Sequence, residues 1–295
     1  MFLAITGAAI VAVLVVVGLG PRFHMNWLSP RIDPRRRARD DNYFFDNCRS
    51  GLLSRYRWFS RRIPSAPRCK FCLAPFGGLG RLGGIKPSRK NPSFCQGCFE
   101  MAPLGGVTMD VGVLFADIRG STTWSEERTP EAVAEGLNRF YASASEVLTA
   151  RDGLIDKLIG DEVMGLFLSV FPSLGDNTCS VMVDAARTLL ERLEPGVPGG
   201  DGLPVGIGVT FGQARVGNVG AGEVKDFTAV GDTVNTAARL QASAQSGEVL
   251  MSEAVYERVA HRFPQAERRT LTLKGKSELV VAYSLARSHQ VPAHG

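Results

Sequence analysis

The chain has 295 residues, 44% hydrophobic and 21% charged, which suits a globular domain with an appendage. The net charge of +5 is unevenly placed: Pro21 to Lys70 holds 13 Lys and Arg against 4 Asp, leaving the remainder net acidic. This argues against a catalytic domain that binds nucleic acid, and it sets the basic stretch beside something anionic, such as lipid headgroups.

Residues Phe2 to Gly20 carry no charge. As a helix they span about 28 Å, close to the hydrocarbon thickness of a bilayer. A secretory signal would want a positive start and a small-x-small cleavage site. Met1-Phe2-Leu3-Ala4 has no positive residue, and Pro21-Arg22-Phe23-His24 is a poor cleavage site. Residues 1–20 therefore read as a single transmembrane anchor. Arg22, Arg31, Arg35, Arg36, Arg37 and Arg39 place the C-terminal side of that anchor in the cytoplasm, at the plasma (inner) membrane.

Residues 21–68 form a basic juxtamembrane linker. Within it, Tyr43 to Ser60 is either an amphipathic surface helix of poor period or an irregular solvated segment. Residues 69–103 are rich in Cys, Gly and Pro. Cys69-x2-Cys72 and Cys95-x2-Cys98 present two thiolates each, the pattern of a zinc-ribbon-like module holding one structural Zn2+. Disulfides are the competing reading, which a cytoplasmic placement disfavours. Unliganded thiols are the third. A segment with so little core needs a metal to fold. Cys48 and Cys179 have no partner at ligand spacing.

Residues 107–287 carry regular periodicity, and 288–295 read as a disordered tail. Val107–Ile118 is predicted as a strand. Thr129-Pro130-Glu131 opens a helix with proline in its first turn, and Val133, Leu137, Phe140, Tyr141, Ala144 and Leu148 recur along it at helical spacing. Gly153–Ile159 and Val163–Leu168 are strands joined by a hairpin at Gly160-Asp161. Helices are predicted at Val181–Leu193 and Thr233–Gln245. Strands Val205–Phe211 and Gln213–Val219 are predicted to meet at Gly212. The order is α+β, a ferredoxin-like βαββαβ domain.

Two segments carry chemistry. In Phe115-Ala116-Asp117-Ile118-Arg119-Gly120-Ser121-Thr122 a carboxylate ends an apolar strand and a tight turn comes next, whose amides suit phosphate oxygens. In Lys157-Leu158-Ile159-Gly160-Asp161-Glu162 a second carboxylate sits in a hairpin. Carboxylates on neighbouring strands can hold two divalent cations across a triphosphate.

These residues resemble the class III adenylate and guanylate cyclase family over about Thr108 to Leu285. Phe115-x-Asp117-Ile118-x-Gly120-Ser121-Thr122 is similar to its first metal motif and Lys157-x-x-Gly160-Asp161 to its second. Val230-Gly231-Asp232-Thr233-Val234-Asn235-Thr236-Ala237-Ala238-Arg239 is similar to its third, and Leu273-Lys274-Gly275-Lys276 to its fourth. The resemblance implies that Asp117, Asp161 and the Ile118 backbone hold two Mg2+ or Mn2+ ions, with Gly120, Ser121 and Thr122 at the phosphates. It implies Lys157 and Thr228 at the base, Asn235 at the ribose, Arg239 at the α-phosphate and Lys274 at the terminal phosphates. It further implies a homodimer with two sites shared between chains.

Base choice rests on hydrogen-bond polarity. Lys157 only donates and Thr228 can accept, matching adenine N1 and its exocyclic amine. The expected reaction is ATP to 3′,5′-cyclic AMP and pyrophosphate. The alternatives are a guanylate cyclase, a catalytically silent cyclase-like regulator, and a tethered zinc module with a relic cyclase domain. A diguanylate cyclase is excluded, because Gly160-Asp161-Glu162-Val163 does not match its signature.

Overall fold

The computed structural model describes residues 60, 67–99, 104–171, 173–194, 202–221, 224–272 and 279–286. The expected anchor at 1–20, nearly all of the linker, Cys48, Lys274 and the tail lie outside them. Among the described residues, no helix is long and apolar enough to cross a membrane.

Two short helices, α1 (Leu79–Leu82) and α2 (Gln96–Phe99), lie in the cysteine-rich segment. The strand β1 (Val107–Ile118) comes next, then α3 (Ser121–Glu126), α4 (Pro130–Ala150), β2 (Leu154–Ile159), β3 (Glu162–Leu168) and α5 (Thr178–Arg192). The chain continues through β4 (Val205–Ala221), β5 (Val224–Val230), α6 (Asp232–Ser243), β6 (Glu248–Ser252) and α7 (Glu253–Val259), and ends on β7 (Glu267–Leu271) and β8 (Val280–Ala286). The strands join one mixed sheet in the order β2-β3-β1-β4-β6-β8-β7, with β5 paired to β4 off this path. β1 and β2 each run antiparallel to β3, and β4 runs parallel to β6.

Position in the sheet explains burial. β1 lies between β3 and β4, and its residues from Val111 to Ala116 are buried without a break, as expected of a strand covered on both faces. The α4 helix starts where its sequence predicts, with Thr129 as N-cap accepting from the Ala132 amide at 3.4 Å and Pro130 in the first turn. Its buried stripe is Gly136, Phe140, Ala144, Val147 and Leu148, whereas Val133, Leu137 and Tyr141 are only half-buried. The stripe is turned slightly from the predicted one, which leaves the Tyr141 hydroxyl available for a polar contact. Phe140, Phe167, Leu114, Leu148, Leu166 and Met182 are fully enclosed. Each such side chain contributes about 1.5–3 kcal/mol relative to exposure.

One expectation is corrected. Val205–Phe211 and Gln213–Val219 are not two strands meeting at Gly212; they are parts of one 17-residue strand, β4. Gly212 does not punctuate the chain but serves a close approach: a Cβ there would stand 3.1 Å from the Thr233 hydroxyl. β4 pairs instead with β5, which begins at Val224.

The described residues cluster into two compact units. One holds those up to Met109 together with Arg215–Ala229; the other holds Asp110–Ala214 and those from Val230 onward.

Candidate active site

The second unit brings the two predicted carboxylates together. The β1–β3 register sets Asp117 opposite Glu162, and the Ile118 amide donates to the Asp161 carbonyl at 3.2 Å. The Asp161 side chain thereby lies within hydrogen-bond reach of Asp117. Burial, then the neighbouring Asp161, pushes the Asp117 carboxyl up to about 6. Burial acts upward on Asp161 as well, but the Ser121 hydroxyl and the Asp117 carboxyl donate to it and Arg119 stands nearby, so it falls below the usual carboxylate range. The two neighbouring carboxyls thus have their affinities for protons pushed apart.

Three neighbours were not evident from the sequence. The Arg119 guanidinium forms an ion pair with Asp117. The Gln241 amide, buried on α6, donates to the same carboxylate oxygen at 2.9 Å. The Tyr141 hydroxyl donates to the Gly160 carbonyl and tethers the β2–β3 turn to α4.

The other predicted residues lie on α3, β2, α6 and β5. Gly120 is left-handed (φ 68°) and caps α3, with Ser121 half-buried and Thr122 exposed. Lys157 lies on β2 at a register shift, and its Nζ donates at 2.8 Å to Asp156, whose carboxylate is wholly buried. Asn235 and Arg239 stand one turn apart on α6, the first exposed and the second half-buried. Among the described residues, the Arg239 guanidinium has no carboxylate partner. Thr228 belongs to the first unit; it is buried on β5, with its hydroxyl 3.5 Å from the Ala229 carbonyl.

The donor chemistry fits hard divalent cations. Two carboxylates within hydrogen-bond reach of each other suit a cation between them, and Mg2+ and Mn2+ take such oxygen ligands. The Arg119 guanidinium supplies the positive charge at Asp117, yet its buried Nε has no partner.

These shifts make cation binding depend on pH. A carboxyl raised in the folded state contributes stability below its unfolded value and loses it as pH rises through about 6, as for Asp117. The lowered Asp161 contributes above its ordinary value, and that contribution is lost only in stronger acid. Ionised at neutral pH, the pair repels itself until a cation binds. Mn2+ should therefore raise the melting temperature strongly at about pH 7.5 and little at about pH 5. Equal shifts at both pH values, read by calorimetry, would exclude the pair as the cation site.

The four cysteines of the first unit converge. Their Sγ atoms all lie within 4.8 Å of one another, and all four are buried. Cys69–Cys98, Cys72–Cys95 and Cys95–Cys98 are separated by 3.8, 3.5 and 3.3 Å, too far for disulfide bonds. Tetrahedral zinc with Zn–S distances near 2.3 Å sets its sulfurs about 3.8 Å apart. Hydrogen bonds to neighbouring thiols raise Cys72 and Cys98 well above the usual thiol range, with burial adding to the rise. Cys69 Sγ also accepts from the Cys95 amide at 3.2 Å. The cluster has the donors and spacing to hold zinc.

A carboxylate pair at adjacent strand ends, flanked by a helix whose arginine has no carboxylate partner among the described residues, is suited to metal-bound phosphates. Comparison with known proteins agrees. The family model described as the adenylate and guanylate cyclase catalytic domain matches residues 107–286. The adenylyl cyclase CyaB from P. aeruginosa is similar at 28% identity and a TM-score of 0.55, over 63% of this chain and 98% of that one. The guanylyl cyclase Cya2 is similar at 26% and 0.55, over 64% and 98%. An uncharacterised protein of Mycobacterium tuberculosis H37Rv is 37% identical over 147 residues, 50% of this chain and 26% of its own length. Another, from strain CDC 1551, is 32% identical over 260 residues, 86% of this chain and 42% of its own. The chain thus spans well under half of those mycobacterial relatives. It belongs to the adenylate and guanylate cyclase catalytic domain family.

Proposed function

We propose that this protein is an adenylate cyclase, a phosphorus–oxygen lyase that converts ATP into 3′,5′-cyclic AMP and pyrophosphate for intracellular signalling. The observation that carries the cyclase chemistry is the Asp117–Asp161 pair, joined through Gln241 to the helix bearing Asn235 and Arg239. Two Mg2+ or Mn2+ ions at the pair supply, when bound, polarisation of the ribose 3′-hydroxyl and neutralisation of the triphosphate. The chain's own residues position the rest. Asn235 holds the ribose so that its 3′-oxygen faces the α-phosphate. Arg239, with no carboxylate partner among the described residues, meets the charge that grows there as pyrophosphate leaves. Gly120, Ser121 and Thr122 offer amides and hydroxyls to the phosphate oxygens, and Lys274 grips the terminal phosphates.

Preference for ATP rests on Lys157 and Thr228. Lys157 has only protons to give, and the buried Asp156 holds its ammonium in place at 2.8 Å. Adenine N1 accepts such a proton, whereas guanine N1–H opposes it. The Thr228 hydroxyl accepts from the adenine amine.

The same reading makes the enzyme a homodimer with two shared sites, one chain giving Asp117 and Asp161 and the other Lys157, Thr228, Asn235 and Arg239. Leu158 and Ile159, 45% and 53% exposed at the end of β2, are apolar enough to favour a covered position. The cysteine module holds one structural Zn2+. Residues 1–20 anchor the chain in the plasma (inner) membrane with the catalytic domain in the cytoplasm, where ATP is found.

The test is product formation by the purified chain with Mn2+ and either ATP or GTP. Cyclic AMP should form at least about tenfold faster than cyclic GMP, since one mismatched buried donor costs that much or more. Equal or faster cyclic GMP formation would make the enzyme a guanylate cyclase. No product from either would leave the reading of a silent regulator.

A further inference from the structure

The first unit is not a cysteine module alone. The hairpin segment Arg215–Ala229, from the outer parts of β4 and β5, clusters with it. Their contacts are specific and lie close to the sulfurs. Phe99, the residue after Cys98, packs edge-on against Phe227 with ring centroids 5.2 Å apart. Its carbonyl accepts from the buried Asn218 amide at 3.2 Å. Lys90, almost buried, pairs with Asp226 at 2.9 Å. Arg215 donates to the Gly105 carbonyl at 2.6 Å. A Cβ on Gly217 would stand 2.2 Å from the Gly106 Cα, so the two backbones touch where only glycine fits.

The hairpin is thus gripped on several sides, by residues that lie next to the cysteine cluster in the chain. Phe94 stacks edge-on against Phe99 at 5.5 Å, and both phenyl rings are buried beside cysteines. Phe71 and Phe76 are buried in the same segment. Without a cation, four crowded thiols give this segment scant reason to hold its shape. Phe227 and Asp226 are the two residues immediately before Thr228.

We infer that metal bound at Cys69, Cys72, Cys95 and Cys98 clamps the β4–β5 hairpin through Phe99 and Lys90, so that zinc occupancy sets the affinity of the enzyme for its nucleotide by fixing Thr228. The inference rests on the reading of Thr228 as a base contact. It makes the module a metal-responsive control element rather than a spacer. Loss of zinc frees β5 near Thr228 while leaving Asp117, Asp161, Asn235 and Arg239 chemically intact. The defect should fall on nucleotide binding more than on turnover.

The experiment uses the full chain in detergent and reducing buffer, with zinc measured by elemental analysis before and after a zinc-selective chelator. Hydrogen exchange is followed at the amides of residues 215–229, and cyclase kinetics are followed with Mg2+ in excess. About one zinc per chain is expected at the start. Its removal should speed exchange in 215–229 by about tenfold or more and raise KM several-fold, with kcat within about twofold. Restoring Zn2+ should reverse both. Lys90→Ala leaves the cysteines untouched; it should retain zinc yet show part of the same exchange and KM change. Absence of zinc in the starting protein would overturn the inference while leaving the cyclase reading intact. So would zinc loss that left hairpin exchange unchanged, or that loosened the hairpin without moving KM. A protein inactive on both nucleotides would sink the cyclase reading instead, and exchange alone would then decide whether the clamp exists.

Discussion

Asp117→Ala should lower the cyclase rate by at least about a thousandfold while leaving the melting temperature of the metal-free domain unchanged or higher. Both halves come from the geometry. The carboxylate lies within hydrogen-bond reach of Asp161 at the end of the β1–β3 pair, so its loss removes one of the two cation ligands. The folding energy of β1 resides in Val111 to Ala116, which the substitution does not touch. Removing a carboxyl held up to about 6 by burial and by Asp161 also removes a repulsion at neutral pH. Asn235→Ala should be comparably inactive through a different defect. Mixing the two variants then tests the shared site. If chains exchange freely, about half the dimers are mixed and each has one intact site of two, so about a quarter of wild-type activity returns. Retention of more than a tenth of the rate in Asp117→Ala would refute the two-cation assignment. A mixture shown to exchange subunits yet inactive would mean that each site is built within one chain.

Gly208→Ala, at a residue given no substrate contact, should cost about a hundredfold in rate. A Cβ at Gly208 would stand 2.2 Å from the Gln241 amide nitrogen and 2.5 Å from the Ala237 carbonyl oxygen, both backbone atoms of α6. No rotamer change relieves that, so the helix must retreat from β4. The displaced helix carries Asn235, Arg239 and the Gln241 amide bonded to Asp117. A shift of about 1 Å in positioning groups is enough for a loss of this size. Stability should fall as well, by about 1–3 kcal/mol for an overpacked contact. Thermal melts beside steady-state rates make the comparison. A Gly208→Ala enzyme with wild-type rate and melting temperature would show that the position of α6 does not govern the chemistry.

Much of the fold and the site is legible in the sequence because the motifs are local. The carboxylate ending β1, the Gly160-Asp161 turn and the Asn235–Arg239 spacing each lie within one element, where alternation, turn chemistry and helical period operate. The carboxylate pair is also foreseeable, since a hairpin beside a neighbouring strand brings its turn residue to the strand end. Distant packing fixes the features that escape. Gln241 reaches Asp117 across 124 positions, and nothing in either segment announces the other. Arg119 next to Asp117 has the look of an ordinary turn residue in the sequence, and only its buried, partnerless Nε sets it apart. Gly212 illustrates the opposite error. A glycine between two apolar runs signals a turn when neighbours in sequence decide its role, but in β4 a threonine twenty-one positions later decides it. The attachment of the hairpin to the cysteine module lies beyond reach for the same reason, because Asp226 and Lys90 are separated by 136 residues.

The β2–β3 turn has a consequence for how the enzyme would respond to concentration. Lys157 lies on β2, and Asp161 lies in the two-residue Gly160-Asp161 loop that ends it, which the Tyr141 hydroxyl ties to α4. With sites shared between chains, the lysine of that hairpin touches one nucleotide and its aspartate serves the second. Each hairpin is then a link between two occupants. The first molecule bound sets the stance of the group awaiting the next, and the saturation curve need not be hyperbolic. A Hill coefficient other than one would be the trace of a single hairpin serving two masters.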